Sequence, residues 1–177
     1  VIRPADANET AAAWKVALES STRPVALVLT RQHVPTLDRE RYAAADGLRR
    51  GAYVLSEATG GVPQLVLIAT GSEVDLALRA QARLQDEGVR TRVVSMPSWE
   101  LFEDQPQEYR DQVLPPALEA RLAIEAGVAQ GWHRYVGQRG KVLSIEGYGA
   151  SAPGDRLLRE YGFGVENVLL MARQVLG

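Results

Sequence analysis

The sequence predicts an α/β protein: three layers, α/β/α, around a mostly parallel sheet of about five strands, preceded by an orphan helix–strand segment. Three observations carry this expectation. Short, wholly apolar runs such as Val25–Leu29 and Leu65–Ile68 lack the alternation of a half-exposed strand and suit strands buried on both faces. These runs alternate with stretches of helical period, the signature of strand–helix–strand units with right-handed crossovers. The 177 residues are 46% hydrophobic and 24% charged, enough apolar content for the core of one ordinary domain.

Asp6 opens the first helix, and Glu9 three residues later completes a capping box. The helix runs from Ala7 to about Ser20 with Ala11, Trp14, Val16 and Leu18 toward one face. Thr22-Arg23-Pro24 turns the chain into the strand Val25–Leu29; Thr30-Arg31-Gln32 ends that strand, and Pro35 prevents its resumption. From Thr36 to Gly51 charges of both signs intermingle without amphipathic order, so a solvated linker is expected, with at most a short helix through Ala43–Ala45. Tyr53–Leu55 is a short strand and Gly60-Gly61-Val62-Pro63 a turn. Leu65–Thr70 is a buried strand, Gly71-Ser72 a turn, and Ser72 with Asp75 a second capping box for a helix to about Glu87, closed by Gly88. Strands are expected at Arg90–Ser95, Leu122–Ile124 and Lys141–Ile145. Ser98 or Asp104 starts short helices, and Trp132–Val136 is a helical turn. Helices at Gly154–Tyr161 and Val165–Leu176 finish the chain.

This reading gives three parts: residues 1–35, a linker at 36–50, and a unit at 51–177. One helix and one apolar strand cannot bury themselves alone. Residues 1–35 are therefore expected to be the last step of a preceding domain. The start Val1-Ile2-Arg3-Pro4, without an initiator methionine, agrees with a piece of a longer polypeptide.

Composition excludes several classes of chemistry. With no cysteine, disulfides, zinc–thiolate sites and cysteine nucleophiles are ruled out, which agrees with a cytoplasmic protein. A net charge of -2 gives no global field for nucleic acid or anionic lipid. The arginines Arg39, Arg41, Arg49 and Arg50 are interspersed with acids and lack aromatic interleaving, so no nucleic-acid partner is expected. No apolar run reaches the roughly 20 residues that span a bilayer, so no membrane partner is expected.

Arg31 is the foremost candidate. It lies just past the carboxyl end of a predicted strand, where open α/β sheets place ligand groups, and its guanidinium is a rigid fork suited to phosphate. Thr70-Gly71-Ser72-Glu73 is a strand–turn–helix step whose free N–H groups could hold an anion at Gly71 and Ser72. It has one glycine, no GxGxxG and no P-loop lysine, so a plain helix start competes with a site. His33 lies two residues from Arg31, and His133 falls in a helical turn; the two do not form a metal-ligand cluster. Glu125 and Glu146 each follow a strand and could act as paired carboxylates, or merely cap or face solvent. Trp14, Trp99 and Trp132 read as core or interface anchors. No catalytic residue and no metal ligand is assigned.

Several segments resemble the transketolase family. They are Ile2-Arg3-Pro4-Ala5-Asp6, Pro24 to Gln32 ending in Leu29-Thr30-Arg31-Gln32, Gly51-Ala52-Tyr53-Val54, Ala69 to Val74, Val93-Val94-Ser95-Met96-Pro97, and Tyr148-Gly149-Ala150-Ser151-Ala152-Pro153. Their order and spacing cover essentially the whole chain. The resemblance implies that residues 1–35 end a thiamine pyrimidine-binding domain and that 51–177 form the family's C-terminal domain. It implies transfer of a two-carbon ketol unit between sugar phosphates in the pentose phosphate pathway. Thiamine diphosphate and a divalent metal (Mg or Ca) would serve the parent, a homodimer, and neither is expected on the fragment. It implies that Arg31 binds the substrate phosphate. The family's GDG motif, its cofactor-activating glutamate and its active-site histidines have no counterpart in this chain, so the fragment alone is expected to be inactive. The Ala69–Val74 step is shared with deoxyxylulose-phosphate synthases and pyruvate dehydrogenase β chains, so the equivalent part of such an enzyme is one alternative. The other is a regulatory or structural module holding an anion or nucleotide at Gly71 and Ser72.

Overall fold

The computed structural model describes residues 1–177. Its centre is a five-stranded sheet of β1 (Tyr53–Ser56), β2 (Leu65–Ala69), β3 (Thr91–Ser95), β4 (Arg121–Ile124) and β5 (Lys141–Leu143), in the spatial order β1-β3-β2-β4-β5. β3, β2, β4 and β5 are parallel. Leu65 to Ala69 pair with Thr91 to Ser95 on one side, and Val66 to Ala69 with Arg121 to Ile124 on the other. Only the edge strand β1 runs antiparallel, with an irregularity between Val54 and Ser56. Every residue of β2 is buried, which is why it reads as an unbroken apolar run.

Helices cover both faces, as expected. On one face α2 (Glu73–Asp86) and α7 (Val165–Leu176) pack Val74, Leu84, Val168 and Leu169 against Leu65, Leu67 and Leu122. On the other, α3 (Trp99–Glu103), α4 (Gln107–Val113) and α5 (His133–Val136) set Phe102, Val113, Trp132 and Tyr135 against Val66, Ile68 and Val94. The short α6 (Gly154–Glu160) precedes α7. α3 is capped by Ser98, whose side chain accepts from the Leu101 N–H, whereas α4 starts after Pro106 and not at Asp104. The capping box expected at Ser72 does not form. Gly71, at φ +57, makes the turn, Ser72 is itself helical, and its hydroxyl donates to Glu73.

The amino-terminal part departs most from expectation. Helix α1 (Ala7–Glu19) is capped by Asp6, but its inner face is Glu9, Ala12, Ala13 and part of Val16. Trp14 and Leu18 point outward, 53% and 81% exposed, the reverse of the apolar face expected from Ala11, Trp14 and Leu18. The segment Val25–Leu29 is not a buried strand. It makes one isolated parallel bridge, Ile2 with Leu27, and leaves Val28 and Leu29 half exposed, because no second strand flanks it. Residues 36–50 are no solvated linker either. Leu37 and Leu48 are buried, Arg39 pairs with the buried Asp6 at 2.9 Å, and Ala45–Arg50 forms a 3-10 turn. Asp6 explains the order: besides capping α1 it accepts from the Leu37 N–H.

Candidate functional site

β2 lies between β3 and β4, so the connections leaving its neighbours diverge around its carboxyl end. That switch point is where open α/β sheets usually hold a ligand. Here the chain's own Arg3 enters it. The Arg3 Nη1 donates to both oxygens of Glu125, at 2.7 and 2.6 Å, and its Nη2 lies 3.9 Å from Glu73. The Arg3 carbonyl accepts from the Gly71 N–H (3.2 Å) and the Thr70 hydroxyl (3.3 Å), and its N–H donates to Pro97. Trp132 Nε1 donates to Glu125 at 3.1 Å. A cavity of about 400 Å³ opens beside this cluster, lined by Arg3, Thr70, Met96, Trp99, Glu125 and Trp132 among others.

The electrostatics disfavour an added anion. Glu73 and Glu125 are only 3% and 4% exposed, so two carboxylates face one guanidinium. Burial pushes the Glu73 carboxyl up to about 7, against the pull of Arg3 and with a further push from Glu125. Its Oε2 has no hydrogen-bond partner. The Gly71 N–H is already used, and Glu73 brings a carboxylate to the helix start. Thr70-Gly71-Ser72-Glu73 is therefore built as a helix start, and an anion or nucleotide at Gly71 and Ser72 would meet two buried acids.

A second buried network joins α1 to the sheet. Glu9 is fully buried and accepts from Tyr53 Oη at 2.6 Å, Ser95 Oγ at 2.7 Å and the Ala5 N–H at 2.8 Å. Burial raises its carboxyl above the usual range despite these donors, and burial beside Glu9 likewise raises the Tyr53 phenol. Every acceptor is matched, so this network is a bolt with no open position for chemistry.

Arg31 lies elsewhere, exposed at the end of the Val25–Leu29 segment, with no hydrogen bond and no ion pair. The Thr30 hydroxyl bonds the Gln32 side chain and accepts from the Gln32 N–H at 3.2 Å, tightening the loop. The Gln32 amide rests on Gly154 at the start of α6, where a Cβ would sit 3.3 Å from its Nε2. His33 is exposed in the same loop, and His133 is exposed on α5. Glu125 and Glu146 do not pair. Glu146 is exposed and bonded to Ser144 and the Ala129 N–H, which hold its carboxyl below the usual range. The acid that does join Glu125 is Glu73, which sequence reasoning missed; its one signal is a glutamate opening the helix after a buried strand. No three His, Asp or Glu side chains converge where they could hold a metal ion. No helix is long and apolar enough to cross a membrane.

Residues 51–164 match the family model described as the transketolase-like TK C-terminal domain. The transketolase of Geobacillus stearothermophilus is 58% identical over all 177 residues, and that of Bacillus subtilis 53% identical over 96% of the chain. The chain spans about a quarter of the length of these relatives, 26% and 25%. Among solved structures, transketolase from Leishmania mexicana superposes on 99% of the chain with a TM-score of 0.88 and 40% identity, the match covering 25% of that protein. A Pichia stipitis transketolase in complex with sedoheptulose 7-phosphate superposes with a TM-score of 0.87 and 33% identity, covering 99% of this chain and 25% of its own.

Proposed function

The chain belongs to the transketolase family, and from that premise we propose that it is the C-terminal portion of a transketolase, with Arg31 as its one substrate-contacting residue. In this reading residues 1–35 close the pyrimidine-binding domain, 36–50 connect, and 51–177 form the C-terminal domain. The parent transfers a two-carbon ketol unit between sugar phosphates as a cytoplasmic homodimer. The carrying observation is Arg31 itself: an exposed guanidinium without any partner in a chain where most others are paired, in a turn tightened by the Thr30–Gln32 bond and resting through Gln32 on Gly154. A fork of free donors at the end of an extended segment is what a phosphate dianion needs.

The exposed apolar groups support the incomplete first domain. Trp14 and Leu18 on α1 and Val28 and Leu29 on the Val25–Leu29 segment are each half exposed or more. A remaining sheet of the pyrimidine domain, pairing with that segment and packing on α1, would cover them. The cofactor does not fit the residues present. Nothing here offers a triad of metal ligands, and the single-glycine turn at Gly71 has its N–H engaged by Arg3. Thiamine diphosphate and its divalent metal are thus assigned to the remainder of the enzyme.

The test is Arg31→Ala in the full-length enzyme. Losing a charge-assisted contact should raise KM for a phosphorylated acceptor by roughly 1.5–3 kcal/mol, some ten- to a hundredfold. An unchanged KM would remove Arg31 from the site.

A further inference from the structure

The Val25–Leu29 segment carries Arg31, yet residues 24–30 make only two backbone hydrogen bonds within the chain. The Ile2 N–H donates to the Ala26 carbonyl at 2.8 Å, and the Val28 N–H donates to the Ile2 carbonyl at 2.9 Å. Both run to one residue. Ile2 is 2% exposed and packs in a small cluster with Ala12, Ala13 and Leu48. The next residue, Arg3, is fastened to the five-stranded sheet by its N–H on Pro97, by its carbonyl on Gly71 and Thr70, and by its guanidinium on Glu125. An unbroken path therefore runs from the end of β4 through Glu125 and Arg3 to Ile2, then to Val28, three residues before Arg31. On the far side of Arg31, Gln32 rests on Gly154.

We infer that Arg3 is a positioning residue for the phosphate-contacting Arg31: by filling the switch-point crevice and gripping Glu125, it clamps the strip that holds one edge of the Val25–Leu29 segment, the other edge being left to the sheet of the proposed pyrimidine domain. The inference rests on the reading of Arg31 given above. It assigns a purpose to a crevice that open α/β sheets ordinarily give to a ligand. The crevice holds a guanidinium from the chain itself, and through it the C-terminal domain takes part in holding the sugar phosphate. Displacements of an ångström in a binding group can cost large factors in catalytic efficiency, so the clamp need not touch substrate to matter.

The experiment compares Arg31→Ala, Arg3→Met and Glu125→Gln in the full-length enzyme. It uses a phosphorylated and an unphosphorylated acceptor aldose, with hydrogen exchange at the Val28 amide. Glu125→Gln keeps one oxygen for Trp132 and replaces the other by an NH2 that cannot accept from Arg3, so it weakens the grip by the charge and one acceptor and carries the test if Arg3→Met does not fold. The expected result is a KM for the phosphorylated acceptor raised about tenfold in both clamp variants, with kcat and the unphosphorylated acceptor changed less than about twofold, and faster Val28 exchange. A selective effect of Arg31→Ala with no effect of either clamp variant overturns the inference and spares the Arg31 reading. Loss of kcat for both acceptors alike also overturns it, because general damage does not distinguish phosphate. If Arg31→Ala itself is silent, the Arg31 reading falls and the positioning role falls with it; unchanged Val28 exchange then removes the tie as well.

Discussion

Replacing Glu73 by glutamine should stabilise the protein, and only where the carboxyl would otherwise be charged. Glu73 is 3% exposed, its Oε2 has no hydrogen-bond partner, and it shares Arg3 with Glu125, which holds the closer contacts. Burial pushes its carboxyl up from 4.5 to about 7. A folded-state value above the unfolded one means that the native state binds the proton more tightly. The favourable contribution is then full below about pH 4.5 and is lost as pH rises through about 7. At 1.36 kcal/mol per unit, the group costs up to about 3 kcal/mol at pH 8, less whatever local relaxation recovers. Glutamine is neutral throughout and removes that slope. Urea unfolding of the wild type and Glu73→Gln, followed by tryptophan fluorescence from about pH 4.5 to about pH 8, measures the difference. Acid effects common to both proteins cancel. The variant's advantage should be near zero at about pH 4.5 and grow to about 2–3 kcal/mol at about pH 8. A difference that is flat with pH, or a variant weaker at the alkaline end, would refute the assignment of Glu73 as an uncompensated buried acid.

Other perturbations act on the same contacts. Glu9→Ala strands Tyr53 Oη, Ser95 Oγ and the Ala5 N–H, three donors that now share one carboxylate. At about 1–3 kcal/mol per orphaned buried group, partly offset by losing a buried acid, it should lower the melting temperature clearly in calorimetry. Gly51→Ala meets both a φ of +80 and a collision with the Phe102 backbone nitrogen, so it should cost about 3 kcal/mol or more in a urea midpoint; a loss under about 1 kcal/mol would contradict the geometry. Leu84→Ala opens a hole in a fully buried α2 position and should cost about 2–5 kcal/mol by the same assay.

Much of the architecture was legible because the signals are local. The helix Val165–Leu176 falls where its period places it, between Gly164 and the final Gly177. Asp6 and Ser98 cap as their side chains permit, and the unbroken apolar run at β2 reports a strand covered on both sides. Each of these depends on residues within a turn or two of one another. Arg31 is exposed at the end of an apolar segment, the position on which its proposed role rests.

The sequence alone determined the order and kind of the elements from Tyr53 onward, the strand–helix alternation that demands a mostly parallel sheet, and the chemistry excluded by an absence of cysteine. The tertiary structure decided which groups meet across the chain. Arg3 and Glu125 are 122 positions apart, and only the strand order β3-β2-β4 brings them to one crevice. The same long-range packing turned Trp14 outward and Glu9 inward, because Tyr53 and Ser95 offer donors on the inner face. It also drew residues 36–50 onto Asp6. Periodicity shows that a helix has faces, but hydrogen-bond partners and buried area from distant segments choose which face is covered.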